Sequence, residues 1–187
     1  MGSRFEIRLA GSGGQGLILA GIILAEAAGI YDGKFVCQTQ SYGPAARGGA
    51  SKAEVVISDV EIDFPQAIHP DVLLALNQKS LDTYLGDLKP DGLLIVDATL
   101  VLEVPFERFV AIPFTQLARE LGREMVANIV ALGALVALSG AVSLSSLEQA
   151  VLARVPKGTE ELNKKALEAG MEAARIRNSP GSLGDAS

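Results

Sequence analysis

Phe5-Glu6-Ile7-Arg8-Leu9-Ala10, then Gly11-Ser12-Gly13-Gly14-Gln15-Gly16, then Leu17-Ile18-Leu19-Ala20 read as a strand, a glycine turn and a helix. Residues 5–10 alternate apolar and polar before turning apolar, the pattern of a strand entering a core. Residues 17–30 are nearly all Ala, Leu, Ile and Gly, with Glu26 as the only charge, which predicts a helix buried on most sides. The turn between them fits G-x-G-x-x-G. Glycines let a backbone come close to a ligand, and a helix N-terminus offers unpaired N–H groups to an anion. Two readings stay open here: a nucleotide or other phosphate ligand, or a tight strand–helix turn and nothing more.

Outward from this unit, residues 34–40 read as a second strand and 53–58 as a short third. Residues 71–77, 93–97 and 109–113 read as buried strands, with a helix over 78–88. Helices are expected over 115–121, 125–138, 144–155 and 159–177, the last with an apolar stripe of Leu162, Ala166, Ala169 and Ala173 and with Thr159 as its N-cap. Continuous apolar strands alternating with helices predict an α/β fold: a Rossmann-like, mostly parallel sheet flanked by helices, with a helical C-terminal part. The loop before 53–58 is too short for a helical crossover, so part of the sheet is expected to be antiparallel. A single domain is expected over residues 1–177, with a flexible polar tail over 178–187.

Composition narrows the function. The 187 residues carry 16 basic and 22 acidic side chains, a net charge of −6. Such a chain, without a basic cluster, is not built for nucleic acid. With no Trp and few aromatics, the core must be aliphatic. The one cysteine, Cys37, excludes an intrachain disulfide or iron–sulfur cluster and reads as a small core residue; the one histidine, His69, excludes a multi-His metal site and reads as exposed and idle. Residues 1–10 show no secretory signal, and a cytoplasmic location is expected. Residues 125–142 are long enough to suggest a membrane span, but Asn128, Gly133, Ser139 and Gly140 interrupt them, and they read as a buried helix. The mean hydropathy of +0.31 predicts exposed apolar surface covered by a partner, in a homodimer or a hetero-oligomer, and not by a membrane.

A dinucleotide site would need an acid at the end of the second strand, to hold a ribose. That strand ends Gln38-Thr39-Gln40-Ser41, and Asp32 lies at its wrong end, so the nicotinamide reading is weak. Ser41-Tyr42-Gly43-Pro44-Ala45-Ala46-Arg47-Gly48-Gly49 is the more specific signal. It offers a hydroxyl, a phenol and a guanidinium able to bind phosphate or carboxylate in bidentate fashion. The alternative is a rigid loop whose Arg47 pairs with a structural carboxylate. Asp97, at the end of a buried strand, reads as a turn cap or as an anchor for this loop, and Lys157 as a cation within reach of an anion.

Together, Gly-Ser-Gly-Gly-Gln-Gly after strand one, Gln40-Ser-Tyr-Gly-Pro-Ala-Ala-Arg-Gly-Gly49 after strand two, Ser51-Lys-Ala-Glu-Val-Val-Ile-Ser-Asp59, Ile62-Asp-Phe-Pro65 and Asn128-Ile-Val-Ala-Leu-Gly133 resemble the gamma subunits of the 2-oxoacid:ferredoxin oxidoreductases, and most of all the 2-oxoglutarate enzymes. Pyruvate, 2-oxoisovalerate and indolepyruvate relatives share the scaffold. The resemblance implies one part of a multi-subunit enzyme that oxidatively decarboxylates a 2-oxoacid, passes the acyl group to coenzyme A and reduces ferredoxin. It places thiamine diphosphate, magnesium and the iron–sulfur clusters on alpha, beta and delta partners, with no cofactor bound by this chain alone and no catalytic residue assigned to it. The candidate ligand-binding or active-site interface residues are Gly11, Gly13, Gly14, Gln15, Gly16, Ser41, Tyr42, Gly43, Pro44, Arg47, Gly48, Gly49 and Asn128. Coenzyme A carries a pyrophosphate for a glycine loop and a further phosphate for an arginine. A nucleotide-binding or structural module without catalytic role remains the alternative.

Overall fold

The computed structural model describes residues 3–42 and 50–177. Six strands form one sheet: β1 (Arg4–Ser12), β2 (Phe35–Tyr42), β3 (Ala50–Ser58), β4 (Val72–Ala75), β5 (Leu93–Asp97) and β6 (Phe109–Ile112). Their order is β2-β3-β1-β4-β5-β6. β3 runs antiparallel to both of its neighbours, β1 and β2, while β1-β4, β4-β5 and β5-β6 are parallel, so β3 alone runs against the rest. The sheet is therefore mixed, as the short loop before β3 requires. What the sequence did not predict is the insertion of β3 between the two strands that a Rossmann crossover would make neighbours.

Six helices flank it: α1 (Leu17–Glu26), α2 (Gln78–Tyr84), α3 (Phe114–Glu120), α4 (Ala127–Ser139), α5 (Leu144–Arg154) and α6 (Glu160–Arg177). All but α2 lie on one side. There Ile7 and Leu9 of β1, Ala53 and Val55 of β3 and Leu74 of β4 pack against α1, α3, α4, α5 and α6 in one aliphatic core. The run expected as one helix to residue 30 is α1 followed by a π-helical turn over Ala27–Tyr31. Asp32 then accepts hydrogen bonds from Ser143 N, Ser143 Oγ and Ser146 Oγ at the start of α5. Burial pushes the Asp32 carboxyl up, but the bonds from Ser146 and Ser143 outweigh this and hold it below its ordinary value.

α4 is buried from Asn128 through Val136, so every side of it meets protein. A helix apolar all round must be enclosed, and here α6 encloses it. A Cβ added at Gly133 would lie 2.3 Å from the Leu167 carbonyl oxygen, and one at Gly170 1.8 Å from that of Val130. The two helices therefore touch backbone to backbone. The buried stripe of α6 is Asn163, Ala166, Leu167, Gly170 and Ala174, turned from the expected one so that Leu162, Ala169 and Ala173 flank it.

The opposite face is covered by α2 and its following turn, around Leu73, Leu81, Leu94 and Val96. It also buries charge. Arg8 and Glu54 are direct partners in the β1-β3 ladder, and the Arg8 Nε donates to Glu54 Oε1 at 2.9 Å. Arg8 also reaches Asp87 and donates to the Ala67 carbonyl at 2.7 Å, while Lys52 Nζ lies 2.7 Å from Glu54 Oε1. A one-residue slip of β3 would turn Glu54 into the aliphatic core, so this pair fixes the register. Burial pushes the nearby Tyr84 phenol up, partly offset by the Arg8 charge.

Candidate functional site

The glycine turn sits at the carboxyl end of β1, beside the carboxyl end of β4. Open α/β sheets place ligands in this crevice, where neighbouring connections diverge to opposite faces. Gln15 N donates to Ser12 O at 3.1 Å, closing a turn with Gly13 and Gly14 at its centre. Gly16 takes a left-handed conformation, φ 69° and ψ 26°, before α1 begins. It is the one position in this turn that needs glycine for its dihedral, since neither Gly13 nor Gly14 has a positive φ.

Side chains hold the turn from both sides. The Gln15 carboxamide oxygen accepts from Ser12 N at 2.8 Å and from Asn77 Nδ2 at 3.1 Å. Its Nε2 donates to the Leu76 carbonyl at 3.3 Å, tying the turn to the end of β4. A Cβ at Gly11 would lie 2.5 Å from the Gln15 oxygen, so this glycine makes room for the carboxamide. Asn128, at the start of α4, donates to the Gly16 carbonyl at 3.1 Å, and a Cβ on Gly16 would lie 2.6 Å from Asn128 Nδ2. Gly13 and Gly14 differ from these neighbours. Both are exposed, and an added Cβ at either meets nothing within 4 Å.

A cleft of about 250 Å³ adjoins the turn, lined by Gly14, Gln15, Leu76, Thr115, Glu124 and Met125. Of these the sequence reading had only the first two. Asn77 carried a usable signal, because its Oδ1 caps α2 by accepting from Ser80 N at 2.9 Å. Asp97 is fully buried beside the cleft. It accepts from Thr99 N at 3.0 Å and from Thr115 Oγ1 at 2.5 Å, capping a turn and the start of α3.

Ser41 and Tyr42 end β2 at the same rim and are exposed. Tyr42 pairs with Ser51 and Ser51 with Gly11, so the three lie in one row across the sheet. With β3 between them, β1 and β2 stand about 10 Å apart, farther than adjacent strands would. Gly43, Pro44, Arg47, Gly48 and Gly49 lie outside the described residues. Cys37 is half-buried in the edge strand β2 and not in the core. His69 is exposed, with its Nδ1 3.4 Å from the Asp87 carbonyl. Thr159 precedes α6, but its hydroxyl donates to the Pro156 carbonyl, and Lys157 is exposed. Among the described residues no group of His, Cys, Asp and Glu could hold a metal ion, and no helix is long and apolar enough to cross a membrane. A larger recess, about 640 Å³, lies at the amino ends of β5 and β6 by Val104, Phe106 and Arg108, away from every candidate residue.

The fold is that of an α/β domain with a glycine turn tied rigidly at the switch of its mixed sheet. The family is specific: the pyruvate ferredoxin/flavodoxin oxidoreductase model matches residues 6–173, and the chain belongs to this family of oxidoreductases. It is 54% identical over 178 residues to the 2-oxoglutarate synthase subunit KorC of Methanocaldococcus jannaschii, covering 92% of this chain and 95% of that one. The gamma subunit of the keto/oxoacid ferredoxin oxidoreductase of Geobacter sulfurreducens has the same fold, with TM-score 0.86 and 53% identity, over 93% of this chain and 98% of that one. The 2-oxoglutarate:ferredoxin oxidoreductase of Magnetococcus marinus, solved with 2-oxoglutarate, coenzyme A and succinyl-CoA bound, matches with TM-score 0.82 and 25% identity, over 97% of this chain but 33% of that one.

Proposed function

We propose that this chain is the gamma subunit of a 2-oxoglutarate:ferredoxin oxidoreductase and that its glycine turn presents the pyrophosphate of coenzyme A to an active site completed by other subunits. The complex converts 2-oxoglutarate and coenzyme A to succinyl-CoA and carbon dioxide, passing two electrons to ferredoxin. Thiamine diphosphate with magnesium supplies the decarboxylation chemistry and iron–sulfur clusters the electron path, on alpha, beta and delta partners in the cytoplasm. One cysteine cannot supply the thiolates of an iron–sulfur cluster here.

The observation that carries the ligand role is the opening at Gly13 and Gly14. Gln15, Asn77 and Asn128 immobilise both ends of the turn, yet its two central residues face no protein atom. A backbone held rigid and left bare suits an anion, because its ordering cost falls on folding and not on binding. The chain's own part is then to bind and orient coenzyme A, with no proton or electron passing through its side chains. Arg47 is the second phosphate contact in this reading.

The test is Gly13→Val in the assembled complex. Loss of a charge-assisted hydrogen bond costs about 1.5–3 kcal/mol, so the KM for coenzyme A should rise about ten- to a hundredfold. The KM for 2-oxoglutarate should stay within about twofold. An unchanged coenzyme A KM would reduce the turn to a structural element.

A further inference from the structure

Asn77 is held at both of its oxygens by the start of α2. Its Oδ1 accepts from Ser80 N at 2.9 Å, and its backbone carbonyl accepts from Ser80 Oγ at 2.9 Å and from Leu81 N at 3.1 Å. Ser80 is fully buried, so this grip lies inside the protein. A side-chain amide has one end that accepts and one that donates. With Ser80 N–H fixing the oxygen, Nδ2 must face the other way, and there it donates to Gln15 Oε1 at 3.1 Å. The same logic passes to Gln15. Its oxygen takes Asn77 Nδ2 and Ser12 N, and its Nε2 is left facing the Leu76 carbonyl at 3.3 Å. Leu76 is itself tied down, because its N–H donates to the Ala10 carbonyl at 2.9 Å. Each amide in this relay has one orientation that pairs donor with acceptor at every contact, and the reverse one sets like against like.

We infer that Asn77 is a positioning residue for coenzyme A: it fixes the Gln15 carboxamide, and through it the backbone of the Ser12–Gly16 turn. The inference rests on the reading of that turn as the pyrophosphate site. Asn77 belongs to the connection between β4 and α2, 62 residues from Gln15 in the chain, and does not line the cleft beside Gly14. Its one side chain serves two elements, the oxygen holding α2 and the nitrogen holding the turn. Capping alone does not select asparagine, because aspartate or serine caps a helix about as well. Aspartate has no donor for Gln15, and serine ends at Oγ, one bond short of the Nδ2 position. Of the four common capping side chains, Asn, Asp, Ser and Thr, asparagine alone carries an acceptor and a separate donor. The residue type therefore answers to the turn as well as to the helix.

The experiment compares Asn77→Ser, Asn77→Ala, Gln15→Ala and the double variant Asn77→Ser with Gln15→Ala, all in the assembled complex. Serine keeps the cap and removes the donor without adding a charge beside an anion. In Asn77→Ser the KM for coenzyme A should rise about three- to tenfold, the effect of losing one neutral hydrogen bond. Turnover at saturating coenzyme A and the KM for 2-oxoglutarate should stay within about twofold, the mark of lost binding and not of lost chemistry. Asn77→Ala should raise the coenzyme A KM equally but also lower Tm, since it alone loses the cap. Gln15→Ala should raise it at least as much, and adding Asn77→Ser should raise it no further, because residues acting in series are not additive. In the isolated chain, amide exchange followed by NMR should quicken at Ser12 in Asn77→Ser and keep its wild-type rate at Ser80. An unchanged rate at Ser12 overturns the inference. So do additive effects in the double variant, or a KM that rises in Asn77→Ala but not in Asn77→Ser, which would leave Asn77 as a cap and nothing more. Gly13→Val separates the two readings. A raised coenzyme A KM there, with a wild-type KM in Asn77→Ser, sinks the positioning role and leaves the pyrophosphate site standing; a wild-type KM in Gly13→Val brings down both.

Discussion

The α4-α6 crossing and the Ser12–Gly16 turn both depend on glycine, in opposite ways. At the crossing, a methyl group on Gly170 would fall inside the contact distance of the Val130 carbonyl, and one on Gly133 inside that of Leu167. At the centre of the turn, a methyl group on Gly13 or Gly14 would touch nothing. The first pair is explained entirely by what the protein packs against itself. The second is not, and the space it leaves is where function has to be sought. Glycine in a sequence is therefore ambiguous until its surroundings are known.

The sharpest way to break the contrast is Gly170→Ala. Alanine is the better helix former by up to about 1 kcal/mol, so local propensity alone would stabilise. Packing should win, because the helices must separate: we expect a net loss of about 3 kcal/mol, lowering Tm by roughly 6–12 °C in thermal unfolding followed by circular dichroism. Unchanged stability would mean that the crossing is looser than the backbone contact implies. Asn128→Ala tests the anchored end of the turn. It removes the bond to the Gly16 carbonyl and should cost about 1–2 kcal/mol, measurable in urea titration. Its effect on coenzyme A use should follow that of Gly13→Val, since both disturb one backbone segment. Gly13→Val should have the smallest effect on stability, within about 0.5 kcal/mol, as surface substitutions away from special backbone do. A large loss of stability there would erase the difference between the two regions.

Much of this was legible in the chain. The strand–turn–helix opening, the buried α4 and the run of strands from β4 to β6 follow from periodicity and apolar runs. The order of the first three strands did not, because the chain reveals that β3 must double back but not which gap it fills. Gln15 could be singled out, but not explained: its partners Leu76 and Asn77 lie about sixty residues away. The stripe of α6 was misplaced because Asn163 and Gly170 are not apolar, though both are buried against neighbouring elements. Met125 escaped notice for the converse reason. A methionine leading into a hydrophobic helix looks like core, and only the 3-10 turn over Glu124–Val126 lifts it out.

The place of β3 also has a consequence in time. β1 leaves the ribosome first, yet its partner on that side is made some forty residues later, and β2, finished in between, has no strand to join until β3 arrives. The helix α1 and the strand after it must wait as a loosely attached arm, while closure of the sheet falls to a hairpin. Loops of this length close at modest entropic cost, and each doubling adds only about 0.6 kcal/mol. The nascent chain thus carries an uncharged strand, Phe35 to Tyr42, without a neighbour during synthesis. In the finished subunit the same strand is one edge of the sheet, joined to it through β3 alone.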